Sequence, residues 1–589
     1  MPTSGIVRRS AYFDSVTLML AQQEARRLPG VDEVGVVMAT EANKALLRAS
    51  GLDFADLAAA GPDDLAVVAR AQTASVAEAA VARAEEVLTR KRAASGPPGI
   101  VRPRTVASAL RQRPDATLAL ISVPGRFARA VTLEALEAGL HVMLFSDNVP
   151  IEHEVELKTT SRDRGLLLMG PDCGTAIVAG AALGFANRVR GGRIGVVGAA
   201  GTGLQEVTSL VHRFGGGITH AIGTGGRDLS SAVGGVTMLQ GLRALADDPA
   251  TAVIVLVSKP PSPEVAGQIL GAAAACGKPV VVNFVGAAVP RVGGVHSATT
   301  LEDAARGAVR LAYGIDPGET GLRALPAQEA GRMAPGQRYL RGLFSGGTLC
   351  YESLVLLRPR IGPIWSNTPL HPDEALEPVT RSRQHTVIDM GADEFTQGRL
   401  HPMLDPLLRL QRLRQEAEDP ETAVILLDVV LGYGAHPDPA AALAPVIREA
   451  CGQARAVGRH LAVVGSVCGT DDDPQDAAAQ RATLVEAGAL IEDSNARAAR
   501  LASLVLEARG SRGAPAEAKR LEPAPAPPPW PEAGGITALL RRRPVVINVG
   551  LELFAESLQA QGVPVVSVDW RPPAGGKAYL MDLLDKLEA

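Results

Sequence analysis

The sequence has few aromatic residues and almost no net charge. Aromatic residues make up 3% of its 589 positions, and the formal charge at pH 7 is −4. Nucleic-acid-binding proteins ordinarily carry a basic patch, often with aromatic side chains on which bases stack. Since both features are missing, we expect no nucleic-acid partner and no charge attraction to a membrane.

Cysteines and long apolar runs are also scarce. The five cysteines form no C-x-x-C pair and have no histidine at ligand spacing, which excludes a disulfide framework or a zinc site. The longest apolar run, TAVIVLVS (251–258), has the length of a strand. The first residues, MPTSGIVRRSAYFD, lack the apolar core of a secretory signal. We therefore expect reduced thiols, no metal and a cytoplasmic location.

The sequence does contain regular alternation of strand and helix patterns. Hydrophobic residues at 46% and charged residues at 21% are typical of a globular protein, and continuous apolar strands predict parallel α/β sheets. The predicted units are a small N-terminal α/β domain (1–95), a Rossmann-like domain (100–188), two α/β domains (190–315 and 337–508), a Pro/Ala-rich linker (509–535) that is not expected to pack, and a C-terminal β-α-β segment (536–589).

An internal repeat links the two central domains. RIGVVGAAGTGLQEV (193–207) parallels LRGLFSGGTLCYESL (340–354), and ALADDPATAVIVLVSKPP (244–261) parallels EAEDPETAVILLDVVLG (416–432). GKPVVVNFVG (277–286) parallels GRHLAVVGSVCG (458–469) in the same order. The repeat predicts two tandem copies of one flavodoxin-like domain.

Each copy contains a glycine-rich turn before a predicted helix. We name these turns the first helix start (Gly198, Gly201, Thr202, Gly203) and the second helix start (Ser345, Gly346, Gly347, Thr348). The first reads G-A-A-G-T-G, so it is not a dinucleotide fingerprint. Free backbone N–H groups at a helix start favour a phosphate or other anion, and two such starts facing each other would hold one anionic ligand. The alternative is a tight turn in which only glycine fits.

Further candidates lie at strand ends in the first half of the chain. Asp172 and Cys173 occur in MGPDCG (169–174), and Gly225, Gly226, Arg227 and Asp228 in AIGTGGRDLS (221–230). Ligands of open α/β sheets bind at such strand ends. We expect Asp172, Gly225, Gly226 and Asp228 to line a substrate pocket, and Arg227 to bind phosphate or carboxylate with Asp228 as its partner. Cys173 is either a nucleophile or a buried structural thiol.

The second copy and the remaining motifs leave alternatives open. MGADEFTQGRLHP (390–402) offers Asp393, Glu394, Arg399 and His401 for metal binding or acid–base work, unless it is a solvated loop. The acidic run GTDDDPQD (469–476) binds a cation or is likewise solvated. His296 would carry a phosphoryl group only if a carboxylate oriented it.

These motifs resemble a known family of ligases. VGAAGTGLQEV, HAIGTGGRDLS and MGPDCG are similar to the α-subunit of succinyl-CoA synthetase, and IDMGADEF with ILLDVVLGYG resembles the C-terminal domain of its β-subunit. Over nearly its whole length, including FSDNVP, VSKPP and VDWRPPAGG, the chain resembles the FdrA family of acyl-CoA synthetase-like proteins. The resemblance implies a CoA-binding-type domain at 100–188, followed by two succinyl-CoA synthetase-like domains.

The chain departs from those ligases at three places. No span is free to form the ATP-grasp domain, and no glycine loop precedes TLALISV (117–123) to bind CoA. The resemblance places the active histidine at His296, but the carboxylate that should orient it falls at Lys259. CoA is therefore a possible cofactor and none is certain.

An enzyme that accepts a ready-made acyl phosphate needs none of the missing parts. The FdrA family has been linked to carbamoyl transfer with oxamate in allantoin breakdown, so the resemblance implies a phosphate-dependent carbamoyl or acyl transferase with small anionic substrates. Lys259, Arg227 and the helix starts would stabilise the phosphate of carbamoyl phosphate, and other subunits in a hetero-oligomer would complete the site. The alternatives are an NDP-forming acyl-CoA synthetase whose ATP-grasp domain lies on a partner chain, and a non-catalytic scaffold.

Overall fold

The computed structural model describes most of the chain as α/β layers. The residues that it describes are 1–9, 15–62, 64–89, 102–290, 292–318, 321–396, 401–514, 519–521 and 534–572. Within these ranges the strands form a three-stranded, a seven-stranded, a two-stranded and two five-stranded sheets. The predicted α/β class is confirmed.

The N-terminal domain is a small antiparallel sheet in the order β1-β3-β2. Its elements are β1 (Thr3–Arg8), α1 (Ser15–Arg26), β2 (Val31–Met38), α2 (Glu41–Ala49), a 3-10 helix (Ala55–Ala59), β3 (Leu65–Ala71) and α3 (Ala74–Thr89). Alternate residues of β3 face opposite sides: Val67 packs with α1 and α3, and Val68 with α2. The domain contacts the second repeat copy, where Gln411 Nε2 donates to Glu33 Oε1 at 2.9 Å.

The next segment supplies three parallel strands and their helices. These are α4 (Val106–Gln112), β4 (Leu118–Ile121), α5 (Gly125–Glu137), β5 (His141–Leu144), α6 (Ile151–Asp163) and β6 (Leu168–Met169). Thr105 begins α4 with a capping box, because its hydroxyl accepts from the Ser108 amide while the Ser108 side chain accepts from the Thr105 amide. Strand β5 lies between β4 and β6, all three parallel.

The first repeat copy forms the seven-stranded sheet, in the order β14-β12-β11-β9-β10-β7-β8. Its elements are β7 (Thr175–Val178), β8 (Ala181–Gly184), β9 (Gly191–Ala199), α7 (Gly201–Arg213), β10 (Ile218–Gly223), α8 (Val236–Asp247), β11 (Val253–Ser258), α9 (Pro263–Ala275), β12 (Val280–Phe284), β13 (Ala287–Ala288), β14 (Val295–Ser297) and α10 (Leu301–Tyr313). Strand β13 belongs to the two-stranded sheet. The five strands from β14 to β10 are parallel, as predicted for a doubly wound domain.

The second repeat copy has the same strand order, β16-β15-β17-β18-β19. Its elements are α11 (Pro326–Gly331), β15 (Tyr339–Phe344), α12 (Gly347–Ile361), a 3-10 helix (Pro372–Glu374), β16 (Thr386–Asp389), α13 (Asp393–Thr396), α14 (Leu407–Glu418), β17 (Thr422–Val430), α15 (Pro439–Ala456), β18 (Ala462–Cys468), α16 (Ala477–Glu486), β19 (Leu490–Glu492) and α17 (Asn495–Ala508). Both copies order their parallel strands 2-1-3-4-5, which is the flavodoxin-like order.

The C-terminal segment completes a sheet that begins more than 400 residues earlier in the chain. It contains β20 (Lys519–Arg520), α18 (Gly534–Leu540), β21 (Val546–Val549), α19 (Glu552–Ala560) and β22 (Val565–Val568). Strand β21 pairs in parallel with β4 from Val546↔Leu118 to Val549↔Ile121, which gives a five-stranded sheet in the order β22-β21-β4-β5-β6. Gln561, directly after helix α19, covers the edge of β8. Its side-chain Nε2 donates to the Ala182 carbonyl, and its Oε1 accepts from the Ala182 amide.

Two predicted boundaries need correction. Strands β7 and β8 join the seven-stranded sheet through β10, although the boundary at residue 188 assigned them to the Rossmann-like domain. In the predicted linker, Lys519 and Arg520 pair with β13, and the Leu521 side chain is buried. Both differences arise from long-range strand pairing, which the local pattern does not encode.

Candidate functional site

The two helix starts meet face to face where the repeat copies contact each other. The Thr348 amide donates to Thr202 Oγ1 at 3.2 Å. A Cβ at Gly203 would lie 2.9 Å from the Thr348 methyl, and one at Gly346 would lie 2.9 Å from the Thr202 side chain. Glycine at these two positions therefore allows the close approach of helices α7 and α12.

Asp428, from strand β17, already fills the second helix start. Its carboxylate accepts hydrogen bonds from the Ser345 amide at 2.8 Å and from the Gly346 amide at 2.7 Å, and it pairs with Arg409 at 2.9 Å. The carboxylate is fully buried. An internal anion thus takes the place that the sequence suggested for an external one.

Asp389, at the end of β16, crowds the same helix start from the other side. A Cβ at Gly347 would lie 2.6 Å from Asp389 Oδ2. Burial raises the pKa of Asp389, and the nearby Lys259 ammonium opposes that rise. The prediction that Ser345, Gly346 and Gly347 bind an anion is therefore corrected, since two carboxylates of the chain occupy their surroundings, and Thr348 contacts Thr202 instead.

The first helix start is open. In the second copy, Asp428 directly follows Leu427, which pairs with Leu343. The corresponding residue of the first copy is Val257, which pairs with Gly198. An apolar side chain therefore stands where the second copy has a carboxylate. Among the described residues, the amides of Ala200, Gly201, Thr202 and Gly203 have no hydrogen-bond partner. Four N–H groups at the positive end of α7 thus remain available to an anion.

The glycines of the first helix start differ in how much space a side chain would have. A Cβ at Gly198 would lie 3.0 Å from Leu204 and 3.2 Å from the Val257 carbonyl oxygen, so Gly198 is required for packing. At Gly201 the nearest atom to such a Cβ, Thr175 Oγ1, is 3.8 Å away. The packing interpretation thus accounts for Gly198, while space remains around Gly201.

Lys259 follows strand β11 beside the open helix start. Its ammonium lies 5.6 Å from the centre of the Tyr351 ring, and its charge acts on the pKa of Asp172 and of Asp389. No ion pair within 4.0 Å joins Lys259 to another of the described side chains. A half-buried ammonium that is not neutralised by a direct partner favours an anionic ligand.

Asp172 lies beside the glycines that follow β10. A Cβ at Gly225 would come within 2.1 Å of the Pro171 carbonyl oxygen, and one at Gly226 would lie 3.5 Å from Asp172 Oδ2. The structure therefore brings Asp172, Gly225 and Gly226 together at one strand end, as the pattern suggested.

Arg227 and Asp228 do not form the predicted pair. The Arg227 guanidinium donates to Glu154 Oε2 at 2.9 Å and to the Val149 carbonyl at 2.7 Å. Asp228 is fully buried, accepts from Lys158 Nζ at 2.7 Å, and bonds the Thr237 and Met238 amides that begin α8. Asp228 is thus a structural residue, and Arg227 is held by Glu154.

Lys158 was not identified from the sequence. Its side chain is completely buried, and the ammonium donates to Asp228, to Thr224 O at 2.7 Å and to Thr237 Oγ1 at 3.1 Å. The only local signal is the Glu154–Lys158 spacing on α6, which is equally typical of a solvent-exposed helix.

The remaining candidates lie apart from the helix starts or serve structure. His296 is exposed on the edge strand β14, in register with Val281, and no described carboxylate pairs with it. Cys173 packs under Gly223, and burial raises its pKa to about 12, which supports the structural-thiol interpretation. His401 is half-buried against the Phe185 ring, and desolvation lowers its pKa to about 4.

The two acidic loops also have structural partners. Asp473 accepts from the Thr470 amide at 2.8 Å and from the Arg188 amide at 2.6 Å, so the acidic run joins the two copies. Glu394 accepts from Asn367 Nδ2 at 2.6 Å, whereas Arg399 lies outside the described residues. Among the residues described, no group of three or more His, Cys, Asp or Glu side chains is arranged to hold a metal.

The five-stranded sheet containing β4 and β21 has a second candidate crevice. From β4 the chain proceeds to β5 and β6 on one side, while β21 and β22 lie on the other, so the winding reverses between β4 and β21. Gly550 follows β21 with φ +120°, and Asn548 Oδ1 is buried with no hydrogen-bond partner among the residues that the structure describes. Ligands of doubly wound sheets bind at such reversals.

Comparison with known proteins identifies the family. The chain is 43% identical over 503 residues to the uncharacterized protein YahF of Escherichia coli (strain K12), covering 84% of this chain and 97% of YahF. The chain belongs to the FdrA-like family. It is also 27% identical over 235 residues to the succinate–CoA ligase [ADP-forming] subunit alpha 2 of Archaeoglobus fulgidus, which covers 38% of this chain and 75% of that one.

Three domain families match parts of this FdrA-like chain. Residues 343–505 match a CoA-ligase family, residues 190–286 a CoA binding domain, and residues 1–99 the heavy metal-associated domain of AllF. The CoA-binding match thus falls on the first repeat copy. The solved structures that match include the "dinucleotide forming Acetyl-coenzyme A synthetase 1" of Ca. Korarchaeum cryptofilum, at 15% identity and TM-score 0.29, covering 67% of this chain and 83% of that one.

The N-terminal domain does not fit a heavy metal. Residues 1–99 contain neither cysteine nor histidine, which are the most common ligands of soft and borderline metals in proteins. In addition, no helix in the described part of the chain is long and apolar enough to cross a membrane.

Proposed function

We propose that this FdrA-like chain is a subunit of a phosphate-dependent transferase that moves a carbamoyl group between phosphate and a small amide acid such as oxamate. The observation that carries the proposal is the asymmetry of the two helix starts. Asp428 fills one, whereas four amides of the other are without a partner among the described residues. We therefore assign the phosphate to the first helix start, beside Lys259.

Carbamoyl phosphate matches this arrangement chemically. When the carbamoyl group leaves, negative charge develops on the phosphate, and backbone amides aimed at that charge stabilise the transition state. Lys259 adds a positive charge, which also acts on Asp172 and Asp389. The acceptor amide and its carboxylate would lie toward Asp172, Gly225 and Gly226. Arg227, held by Glu154, would contribute charge at longer range.

The first experiment measures phosphate and carbamoyl phosphate binding by isothermal titration calorimetry. In the Val257→Asp variant a carboxylate would take the Ala200 amide, as Asp428 takes the Gly346 amide, so we expect binding to be abolished. Val257→Asn is the matched control, because it adds a side chain of the same size without charge. Equal affinity of wild type and Val257→Asp for phosphate would rule out the first helix start.

A second variant tests the same site without altering the core. Lys259→Met removes the ammonium, and we expect phosphate affinity to fall about 10- to 100-fold, the usual effect of losing a hydrogen bond to a charged group. Turnover is then measured as phosphorolysis of carbamoyl-oxamate, by the chain alone and with the subunits that co-purify with it. Phosphate binding without turnover in either preparation would support the scaffold function instead.

A CoA-dependent ligase is the second candidate function. The matching CoA-binding and CoA-ligase families favour it, as does the reversal between β4 and β21. At that reversal Gly550 provides a backbone turn, and Asn548 Oδ1, which has no partner among the described residues, provides a polar group, whereas the CoA-binding match covers the first repeat copy. When bound, CoA would supply the thiol that accepts an acyl group. CoA titration together with acid-labile incorporation of labelled phosphate from ATP, lost in His296→Ala, would favour this function.

A further inference from the structure

We propose that Asp172 transfers the proton in this reaction, between an oxygen of phosphate and the amide nitrogen of the acceptor. The inference rests on the proposed carbamoyl transfer and assigns a chemical role to a residue that was expected only to line the pocket. Three observations support it: the fixed backbone of Asp172, its uncommitted carboxylate, and the charges that converge on it.

The backbone of Asp172 is fixed by packing on two sides. Its amide donates to the Ser146 carbonyl at 2.9 Å, and the Cys173 amide donates to Leu144 O at 3.2 Å, which ties the turn to the end of β5. A Cβ at Gly170 would come within 2.2 Å of Leu144 O. Glycine at position 170 therefore permits this close approach, and the two hydrogen bonds fix the position from which the Asp172 carboxylate projects.

The carboxylate of Asp172 has no structural task in the described part of the chain. The residue adopts φ +57°, a left-handed conformation that is uncommon for side chains other than glycine, and no described group hydrogen-bonds its oxygens. By contrast, Asp228 and Asp428 are fully buried and bound to amides and cations. A strained residue with a free functional group is typical of an active site.

Four charged side chains from different parts of the chain influence the pKa of Asp172. Asp147 and Asp393 are negative and disfavour its ionised form, whereas Lys259 and Arg227 favour it. Desolvation by the surrounding protein, followed by the two carboxylates, raises the pKa of Asp172 to about 7, while the side chain keeps a surface open to solvent. A group with that pKa both accepts and donates a proton at neutral pH.

In the direction of phosphorolysis, one proton passes from phosphate to the acceptor nitrogen through Asp172. An oxygen of hydrogen phosphate attacks the carbamoyl carbon and gives its proton to the ionised Asp172. The new C–O bond forms, the C–N bond to oxamate breaks, and the electron pair of that bond goes to the nitrogen. Asp172 then gives the proton to this nitrogen, which leaves oxamate and carbamoyl phosphate with the Asp172 carboxylate regenerated.

The variant Asp172→Asn tests the role. Asparagine also tolerates the left-handed conformation, so we expect the protein to fold and to bind phosphate at least as tightly, since a negative charge is removed. We expect kcat of the assembly with its co-purifying subunits to fall at least about 100-fold, as for loss of a general acid–base group. Turnover within tenfold of wild type, with an unchanged pH profile, would overturn the inference.

The pH profile separates a chemical role from a structural one. We expect the rate of phosphorolysis to rise through about pH 7 as Asp172 ionises. Asp393→Asn removes a like charge and should move this midpoint to lower pH. The titration of phosphate itself is common to both proteins and cancels in the comparison. A midpoint that does not move in Asp393→Asn would contradict the assignment.

Proton uptake gives a readout that does not depend on turnover. Phosphate bound near Asp172 raises its pKa, so binding at pH 7 should take up protons, measured as a dependence of the binding enthalpy on the buffer. Asp172→Asn should reduce this uptake. Equal uptake in both proteins would overturn the inference. If wild type binds phosphate with this uptake but shows no phosphorolysis, the carbamoyl-transfer proposal fails while the proton exchange at Asp172 stands.

Discussion

At the scale of single residues, Lys158 holds the pocket loop to the rest of the protein. Its buried ammonium lies between Glu154 of α6 and Asp228 of the loop after β10. Glu154 in turn binds Arg227, so four alternating charges join two domains beside Gly226. Without the lysine, the buried carboxylates of Glu154 and Asp228 would lose the cation between them, and Arg227 would neutralise only Glu154.

We expect Lys158→Met to destabilise the protein by about 3–5 kcal/mol, because removing one partner of a buried ion pair leaves an uncompensated charge. The measurement is the free energy of unfolding from urea titration. Arg113→Met, at the exposed pair with Asp115, is the control and should change little. Equal effects of the two variants would show that the Lys158 cluster does not stabilise the fold.

Individual contacts were only partly predictable from the sequence. Asp228 was expected to pair with its neighbour Arg227, but the partner of Arg227 is Glu154, 73 residues away. Side chains adjacent in sequence rarely face each other, and the fold selects the partner. The occupation of the second helix start did leave a signal. TAVIVLVS and TAVILLDV align without a gap and place Val257 opposite Asp428.

At the scale of secondary structure, helices α7 and α12 begin alike but tolerate different substitutions. Gly201→Ala would meet only Thr175 Oγ1 at 3.8 Å, and alanine favours a helix over glycine by roughly 1 kcal/mol. Gly347→Ala would press against Asp389 at 2.6 Å. We therefore expect the melting temperature to stay level or rise in the first variant and to fall in the second, as measured by calorimetry. The reverse order would contradict the assignment of Asp389 to this helix start.

The elements themselves were largely predictable, and their pairing across domains was not. Alternating apolar runs and the repeat predicted the parallel strands of both copies. The antiparallel strands β7 and β8, and the pairing of β21 with β4, depend on contacts between distant segments that have no local pattern. The predicted C-terminal β-α-β segment was therefore recognisable as a unit, while its sheet was not.

At the scale of the whole molecule, the two copies cap each other's last helix. Glu206 of α7 accepts from the Asn495 amide at the start of α17, at 3.0 Å. Glu352 occupies the same position in α12 and accepts from the Leu301 amide at the start of α10, at 2.8 Å. Both carboxylates are buried, so the helix after the first strand of each copy is joined to the last helix of the other copy.

The hydrogen bonds of Glu206 and Glu352 make the free energy of unfolding depend on pH. Burial raises the pKa of Glu352 from 4.5 to about 7 and raises that of Glu206 as well. Glu352 keeps its proton to a higher pH in the folded state than in the unfolded state. Its contribution to the free energy of unfolding is therefore fully present below about pH 4.5 and is lost as the pH rises through about 7. Wild type should thus lose free energy of unfolding relative to Glu352→Gln between pH 5 and 8. The exposed Glu418→Gln should follow wild type, and parallel curves for all three proteins would refute the coupling.

The pairing of β21 with β4 also sets the order in which parts of the protein fold during synthesis. Thr117 and Val545, which meet beside these strands, are separated by 428 residues. At ribosomal rates of about 5–20 residues per second, β4 is made roughly 20–90 s before its neighbour. During that interval β4 is an uncovered edge of the sheet, and both repeat copies are synthesised before β21 is made. The crevice at β4 and β21 is therefore the last part of the described molecule to be assembled.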